Sequence, residues 1–334
     1  MIQTFLATLF PMLMLFLFIV LGFLLYKLKL LPENSAKVLA KLETYLFVPC
    51  LTFSSLFKVF NLKTLTTHAI NIVITIVAVM VALAISYLLV RFFVKDKKNY
   101  QRNVFLYALA IANIGYMGDP VVLAIFGETG LAYYKIACLP FNIIIYTWGI
   151  SILIPAGEKK THPLKNLINF PTISLLIALV VGITGLGGLI YSKSWFLTDA
   201  IDSLASCMGP VAMLIAGITI ARFNVKNMLT NKKVYVASLL RLLIIPSIII
   251  AVLFGLKELV NLIFGLNISN DVLFLILVMT ATPLGMNTIV FPEAYGGDPS
   301  TGASMTMISH TLCIITIPIM FALMSLVFGY LPTF

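Results

Sequence analysis

The chain contains very little charge. Of its 334 residues only 10% are Asp, Glu, Lys or Arg, whereas 61% are hydrophobic, and the mean hydropathy is +1.08. A water-soluble globular domain carries about 25% charged residues. The scarcity of charge therefore excludes an ordinary soluble protein and indicates a chain that resides in a lipid bilayer.

Signatures of catalysis and of cofactor binding are also missing. The sequence has no HExxH, P-loop, G-x-S-x-G or dinucleotide-binding motif, and no paired acidic motif for Mg²⁺. Its few cysteines lie in apolar segments without CxxC or Cys/His ligand spacing, at Cys50, Cys138, Cys207 and Cys313. We therefore expect no enzyme, no metal site, no disulfide framework and no cofactor.

What the sequence does contain is a series of long apolar segments. A transmembrane helix needs about 20 such residues. Segments of this kind occur at roughly 5–26, 38–57, 69–90, 104–126, 131–155, 171–191, 200–221, 234–256, 272–292 and 304–328. The first is too long for the apolar region of a signal peptide and has no basic residue before Lys27. The sequence therefore predicts an all-α membrane protein with ten transmembrane helices.

The net charge of +10 follows the expected membrane topology. Loops after predicted helices 1, 3, 5 and 7 carry 16 Lys and Arg residues. The loops on the opposite face carry five, namely Lys58, Lys63, Lys135, Lys193 and Lys257. Because basic loops stay in the cytoplasm, we predict a multi-pass plasma-membrane protein with both termini extracellular. The basic charge is thus topological, and nucleic-acid binding is not expected.

The spacing of prolines predicts an internal repeat. Pro49 and Pro210, in predicted helices 2 and 7, are 161 residues apart, and both are candidate hinges. Pro120 and Pro283, in helices 4 and 9, are 163 residues apart. Five helices in each half would place the second half in inverted orientation. The predicted organisation is two five-helix repeats joined by a cytoplasmic linker, at 1–156, 171–334 and 157–170.

Predicted helices 4 and 9 are each interrupted by glycine and proline. The interruptions read Asn113-Ile-Gly-Tyr-Met-Gly-Asp-Pro120 and Thr282-Pro-Leu-Gly-Met-Asn287. In hydrocarbon an unpaired backbone group costs several kcal/mol, so such breaks persist only inside protein or beside a water-filled cavity. The alternative is a pair of proline-kinked helices without a site.

The residue before each proline is of a type that caps helices. Asp119 precedes Pro120 and Thr282 precedes Pro283. Since proline suits the first helical position, we expect a half-helix to begin at each proline. The two half-helices would cross near the membrane midplane, with their N-termini directed at a bound anion.

The interruptions and one nearby asparagine supply the candidate substrate ligands. These are Asn113, Gly115, Tyr116, Gly118, Pro120, Asn142, Thr282, Pro283, Gly285, Met286 and Asn287.

Three further residues are candidates for coupling or charge pairing. Asp119 either caps its half-helix or carries a proton or cation. Arg241 lies ~12 Å into its helix, and either reaches back to the interface or pairs with Asp119 or a substrate carboxylate. His310 is either a packed core histidine or part of a proton relay.

At these residues the chain resembles the auxin efflux carrier family of secondary transporters. The resemblance covers nearly the whole sequence. The matching motifs are 113–120, Ile-Phe-Gly-Glu-Thr-Gly at 125–130, Pro210 to Gly217, Leu-Arg-Leu-Leu-Ile-Ile-Pro at 240–246, Pro283 with Asn287, Ala294-Tyr-Gly-Gly-Asp298 and Ile317-Pro318. Asp119 departs from this pattern, which has an apolar residue at that position.

The resemblance implies a ten-helix inverted repeat related to the bile-acid sodium symporters. Helices 1, 2, 6 and 7 would form a scaffold, and helices 3–5 with 8–10 a transport domain that moves like an elevator, often in a homodimer. Bacterial members resemble malate or malonate permeases, and plant members export the indole-acetate anion. We therefore expect a transporter of a small mono- or dicarboxylate, with coupling to H⁺, to Na⁺ or to neither. The alternatives are a sodium-coupled carrier of a larger amphipathic anion and a channel or membrane sensor.

Overall fold

The computed structural model of the chain describes residues 2–67, 69–155, 169–265 and 268–329. Within these ranges the regular secondary structure is helical, with a single isolated β-bridge. The prediction of an all-α protein is thus confirmed for this part of the chain. The predicted linker at 157–170 lies almost entirely outside the described residues.

The N-terminal half is a series of helices of unequal length. They are α1 (Ile2–Lys27), α2 (Ser35–Leu42), α3 (Val48–Val59), α4 (Leu62–Thr67), α5 (Ala69–Phe93), α6 (Tyr100–Ala110), α7 (Asp119–Ala137), α8 (Leu139–Ile144) and α9 (Ile150–Leu153). Five-residue π-helical turns join α2 to α3, precede α7, and join α8 to α9, at Glu43–Phe47, Ile114–Gly118 and Ile145–Gly149.

The C-terminal half has the same character. Its helices are α10 (Phe170–Ile183), α11 (Leu186–Lys193), α12 (Trp195–Arg222), α13 (Val225–Thr230), α14 (Lys232–Leu239), α15 (Ile245–Phe264), α16 (Asp271–Ala281), α17 (Asn287–Tyr295) and α18 (Ser300–Phe328). A fourth π-turn, Leu240–Ile244, joins α14 to α15.

Several helices have the length and hydropathy of membrane spans. Among the described residues there are four, at Ala69–Phe93, Trp195–Arg222, Lys232–Ile263 and Ser300–Phe328, or up to six if each of two bent pairs is one span. The pair α10–α11 is bent by 89° at Gly185, whose φ of 77° favours glycine. The prediction of one helix over 171–191 is therefore wrong. The count of ten spans stays a prediction.

Three of the π-turns are explained by a proline that follows them. The π-turns before α3, α7 and α15 each end two residues before a proline, namely Pro49, Pro120 and Pro246. A proline ring lacks an N–H group and collides with the carbonyl four residues earlier. The extra residue of a π-turn accommodates the ring without ending the helix, and local π adjustments re-satisfy backbone groups in membranes. Pro210 lies inside the continuous helix α12.

The closest helix packing is between α1 and α12. A Cβ atom at Gly217 would lie 2.0 Å from the carbonyl oxygen of Ile19, and one at Gly22 would lie 2.4 Å from that of Leu214. The two backbones are therefore in direct contact, which is the typical use of small residues between membrane helices. α3 packs against α12 and α10, whereas α5 packs against α6 and α8.

Long buried segments flank the two interruptions, at 104–110, 272–281 and 287–294. Burial on all sides explains why the first two are apolar around the whole helix and show no polar face. Both interrupted helices therefore stop and restart in the interior.

The contact between α1 and α12 yields a stability prediction. Gly217→Ala forces a methyl group into the backbone of α1, and we expect a loss of about 2 kcal/mol or more and a clearly lower apparent Tm in detergent. Gly255→Ala is the matched control, because no other element of the described chain lies within 4 Å of the added Cβ. That variant should be neutral or slightly stabilising. Equal apparent Tm values for the two variants would contradict the close packing.

Candidate functional site

The two helix interruptions meet as a short antiparallel pair. Ala112 and Leu284 form the β-bridge. The Asn113 N–H donates to the carbonyl of Pro283 at 2.8 Å, and the Gly285 N–H donates to the carbonyl of Ile111 at 3.1 Å. Buried backbone groups need such partners where helix bonding stops. Each break thus supplies hydrogen-bond partners for the other.

The first interruption is shorter than expected. α6 ends at Ala110, and the helix resumes at Ile114, not at Pro120. The prediction that Asp119 caps a half-helix is wrong. Asp119 has helical angles (φ −57°, ψ −53°) because the π-turn carries the helix through the proline.

The second interruption is longer than expected. Thr282 is extended (φ −66°, ψ 155°), as the residue before a proline must be. Pro283 takes part in the backbone pairing, so the helix begins at Asn287 rather than at the proline. Thr282 does not act as a cap either, since its buried hydroxyl has no hydrogen-bond partner among the described residues.

Residues from both helix starts line one small cavity of about 50 Å³. Such a volume holds a few water molecules. Seven of the predicted ligands line it, namely Asn113, Gly115, Tyr116, Asn142, Gly285, Met286 and Asn287. The first amides of a helix have no i−4 partner within it; here those of Ile114, Thr288 and Ile289 donate to the carbonyls of Ala112, Gly285 and Met286.

The other four predicted ligands are placed differently. Pro120 lines a second cavity, described below. Gly118, Thr282 and Pro283 line neither of the two. At Gly118 a Cβ would lie 2.1 Å from the hydroxyl of Tyr134, so a close approach requires glycine there.

The asparagines of the site are held by buried side chains. Asn287 donates to the Tyr107 hydroxyl at 2.8 Å. The amide nitrogen of Asn113 lies 3.3 Å from Nε2 of His310, and Nδ1 of His310 lies 3.0 Å from the carbonyl of Thr306. Because that carbonyl only accepts, Nδ1 carries the proton and Nε2 accepts from Asn113. His310 is thus packed and hydrogen-bonded, in contact with Asn113, and its part in a proton relay stays a prediction.

A partly buried ion pair lies at the edge of the cavity. Asp119 pairs with Lys135, and their side chains are 18% and 16% exposed. Gly127, with φ 66° and ψ −169°, breaks α7 between them. The assignment of Lys135 to an outer loop is therefore wrong, and so is the pairing of Asp119 with Arg241. Lys135 could have been identified from the sequence, because a single lysine within an apolar segment is a candidate functional residue.

Arg241 binds the C-terminal end of the first interrupted helix instead. It is buried, with 1% of its surface exposed, so its guanidinium does not reach back to an interface. Its Nη1 donates to the carbonyl of Leu109 at 3.4 Å, in the last turn of α6. A cation at a helix C-terminus stabilises the helix dipole. The site thus has a fixed positive charge behind the break rather than inside the cavity.

A larger cavity of about 620 Å³ adjoins the small one. It lies between α7 on one side and α1, α3 and α12 on the other, and both cavities are lined by Tyr116, Asp119 and Lys135. This volume is typical of small-molecule sites. Asp202 and Lys58, paired at 2.7 Å, also line the larger cavity.

Several lining residues were absent from the sequence prediction. Thr52, Ser55, Tyr146 and Met208 line the small cavity from α3, the turn before α9, and α12. Nothing in their local sequence distinguishes them from packing residues. Within the described residues, no group of three His, Cys, Asp or Glu side chains is placed to hold a metal ion.

Comparison with known proteins gives the family. A family described as membrane transport protein matches residues 7–162 and 159–321. An uncharacterized transporter of Methanocaldococcus jannaschii is 27% identical over 86% of this chain and 89% of its own length. An uncharacterized transporter of Methanothermobacter thermautotrophicus is 23% identical over 90% of this chain and 93% of its own length. Transporters are not enzymes, and the apolar helices are those of a membrane-embedded protein. The chain therefore belongs to the membrane transport protein family, that of the auxin efflux carriers.

Proposed function

We propose that the chain is a secondary transporter of a small organic anion, working by alternating access at the plasma membrane. The observation that carries this proposal is the pairing of two interrupted helices beside a cavity deep in the molecule. Non-helical backbone at membrane depth is tolerated where it is buried or lines a cavity. In transporters, paired interruptions in the two halves of a chain typically surround the substrate.

The proposed architecture is ten spans in two inverted repeats, with the paired breaks as the crossing point of helices 4 and 9. The nearly equal proline spacing supports the repeat. The packing of α1 on α12 and of α3 on α10 and α12 supports a scaffold of helices 1, 2, 6 and 7. The packing of α5 on α6 and α8 supports the grouping of helices 3–5 in the transport domain, which α1 contacts through α7 and α18. Both termini are then extracellular.

The proposed substrate is a mono- or dicarboxylate such as malate, malonate or an auxin-like acid. The side-chain amides of Asn113 and Asn287 are suited to its carboxylate oxygens. A 50 Å³ cavity is too small for such an anion, so this conformation is closed at the site. Movement of the transport domain against the scaffold, as an elevator, would open the site through the larger cavity.

The ion pair of Asp119 and Lys135 is proposed to set the charge of the site. An isolated carboxylate at this point would repel an anionic substrate. Lys135 compensates the charge of Asp119, so a carboxylate of the substrate approaches a neutral ion pair rather than a negative charge. The anion then lies nearer the Gly285–Asn287 side. The proposal also includes coupling of anion transport to H⁺ or Na⁺ and assembly of the chain into a homodimer.

Transport itself is the first test. In proteoliposomes we expect saturable counterflow of radiolabelled malate, malonate or indole-3-acetate. Asn113→Ala removes the amide that faces both the cavity and His310, and should lower the rate at least about tenfold, equivalent to ~1.4 kcal/mol. Asn227→Ala, at an exposed position of α13, is the matched control and should transport normally. Voltage-driven single-channel currents without counterflow would instead indicate a channel.

The ion pair gives a second, independent test. Lys135→Gln leaves a partly buried carboxylate without its partner, which should cost about 1 to 3 kcal/mol in stability and weaken anion binding. Asp119→Asn leaves the lysine unopposed and should tighten dicarboxylate binding. The double variant should recover much of the lost stability, since it buries no unpaired charge.

Apparent Tm with and without malonate, at several pH values, measures both effects. Lys193→Gln, at an exposed position, is the matched control. If Asp119→Asn changes neither the affinity nor its pH dependence, the proposed role of the pair is wrong.

A further inference from the structure

One buried carboxyl group has no counter-charge among the residues that the structure describes. Glu43 lies in the π-turn between α2 and α3, and its side chain is fully buried. Neither carboxyl oxygen has a hydrogen-bond partner in the described part of the chain. In contrast, the buried acids Asp119 and Glu293 are paired with Lys135 and Arg222.

The polar groups that face Glu43 are tyrosine hydroxyls. Tyr116 faces it from the π-turn before α7, and its hydroxyl is itself buried without a hydrogen-bond partner among the described residues. Tyr146, in the π-turn before α9, is also near enough for its hydroxyl to interact electrostatically with the Glu43 carboxyl. Both hydroxyls can donate or accept, but neither supplies a positive charge.

The elements packed against this π-turn supply no free cation among the described residues. α12 and α17 contribute Arg222 and Glu293, which are bonded to each other at 2.5 Å. α3 contributes Lys58, which pairs with Asp202 of α12. Both lysines of α2 are exposed, α10 has no titratable residue, and Tyr295 of α17 contacts a tyrosine ring.

Ionised, Glu43 would be an unpaired charge in the interior of a membrane protein, which is strongly unfavourable. Protonation removes the charge and makes the carboxyl both a donor and an acceptor, so that it matches the Tyr116 hydroxyl. Glu43 therefore holds a proton in this conformation. Asp119 is unsuited to that role, since Lys135 compensates its charge.

The contact of Glu43 with Tyr116 also joins two parts of the molecule. Glu43 belongs to predicted helix 2 of the proposed scaffold, and Tyr116 to helix 4 of the proposed transport domain. Tyr116 lines both cavities, so a displacement that opens them also changes the surroundings of Glu43. The protonation of Glu43 is thereby linked to the position of the transport helices.

We propose that Glu43 is the proton-carrying group of this transporter, which assigns H⁺ as the coupling ion. Packed against Tyr116, the carboxyl keeps its proton. When the transport helices move and water reaches the group, the O–H bond breaks and the proton passes to that water. This inference rests on the proposed function, because it requires the two groups of helices to move relative to each other.

The test combines a substrate-free and a transport measurement on the full-length protein. Glu43→Gln keeps the shape of the protonated acid but cannot ionise, and Glu33→Gln in an exposed loop is the matched control. Infrared spectroscopy at neutral pH should show the carbonyl band of a protonated carboxyl in wild type and Glu33→Gln, and its loss in Glu43→Gln. Proteoliposomes with radiolabelled malate, malonate and indole-3-acetate should show counterflow by all three proteins. Acceleration by a pH gradient should be lost only in Glu43→Gln.

The outcomes separate the two proposals. Absence of the infrared band in wild type, or its persistence in Glu43→Gln, overturns the assignment of the proton to Glu43. Undiminished acceleration by the pH gradient in Glu43→Gln overturns its role as carrier, as does a response to a sodium gradient in place of pH. If wild type transports none of the three acids, the proposed substrate class fails and the carrier role fails with it. The infrared result still decides the protonation of Glu43.

Discussion

The structure depends on one constraint, which is that backbone N–H and C=O groups in hydrocarbon must find partners inside the protein. Two helices stop in the buried centre, after Ala110 and Ala281, and the ends leave amides and carbonyls without helix partners. The bridge between Ala112 and Leu284 supplies part of what is missing on both sides. Since each break completes the other, neither interruption would be stable alone. The residues beside the bridge line the small cavity in which we propose that the anion binds.

The buried charges follow from the same constraint. Arg241 lies behind the break at the end of α6, and Lys135 neutralises Asp119 at the edge of the cavity. A cavity edged by a neutral ion pair, with a fixed cation behind the break and the side-chain amides of Asn113 and Asn287 in its lining, suits an anion that must bind and then leave. Glu43 differs from these residues because it has no cation beside it in the described structure, so its charge state depends on what surrounds it. Substrate binding and proton binding are thus assigned to different groups on neighbouring helices.

The sequence predicted the class of fold and the presence of two interrupted helices, because both depend on local features. Long apolar segments predict helices, and glycine with proline inside them predicts an interruption. The restart points were wrong because a proline has two outcomes that only tertiary context decides. Pro120 is absorbed by a π-turn, whereas Pro283 enters the backbone pairing. The partner of Asp119 was missed because it depends on the turn at Gly127, and the bend of helix 6 depends on Gly185. Neither conformation is specified by glycine alone.

Hydrogen–deuterium exchange tests the central claim most directly, since the paired breaks line the proposed anion site and a bound anion should restrict the opening of their backbone hydrogen bonds. Exchange would be followed in the membrane-reconstituted protein with and without the carboxylate that gives the fastest counterflow. The account predicts that the anion slows exchange mainly in peptides covering 111–118 and 282–289, with Asn113→Ala reducing this protection. Slower exchange elsewhere, with these two segments unchanged in the presence of a transported substrate, would contradict it.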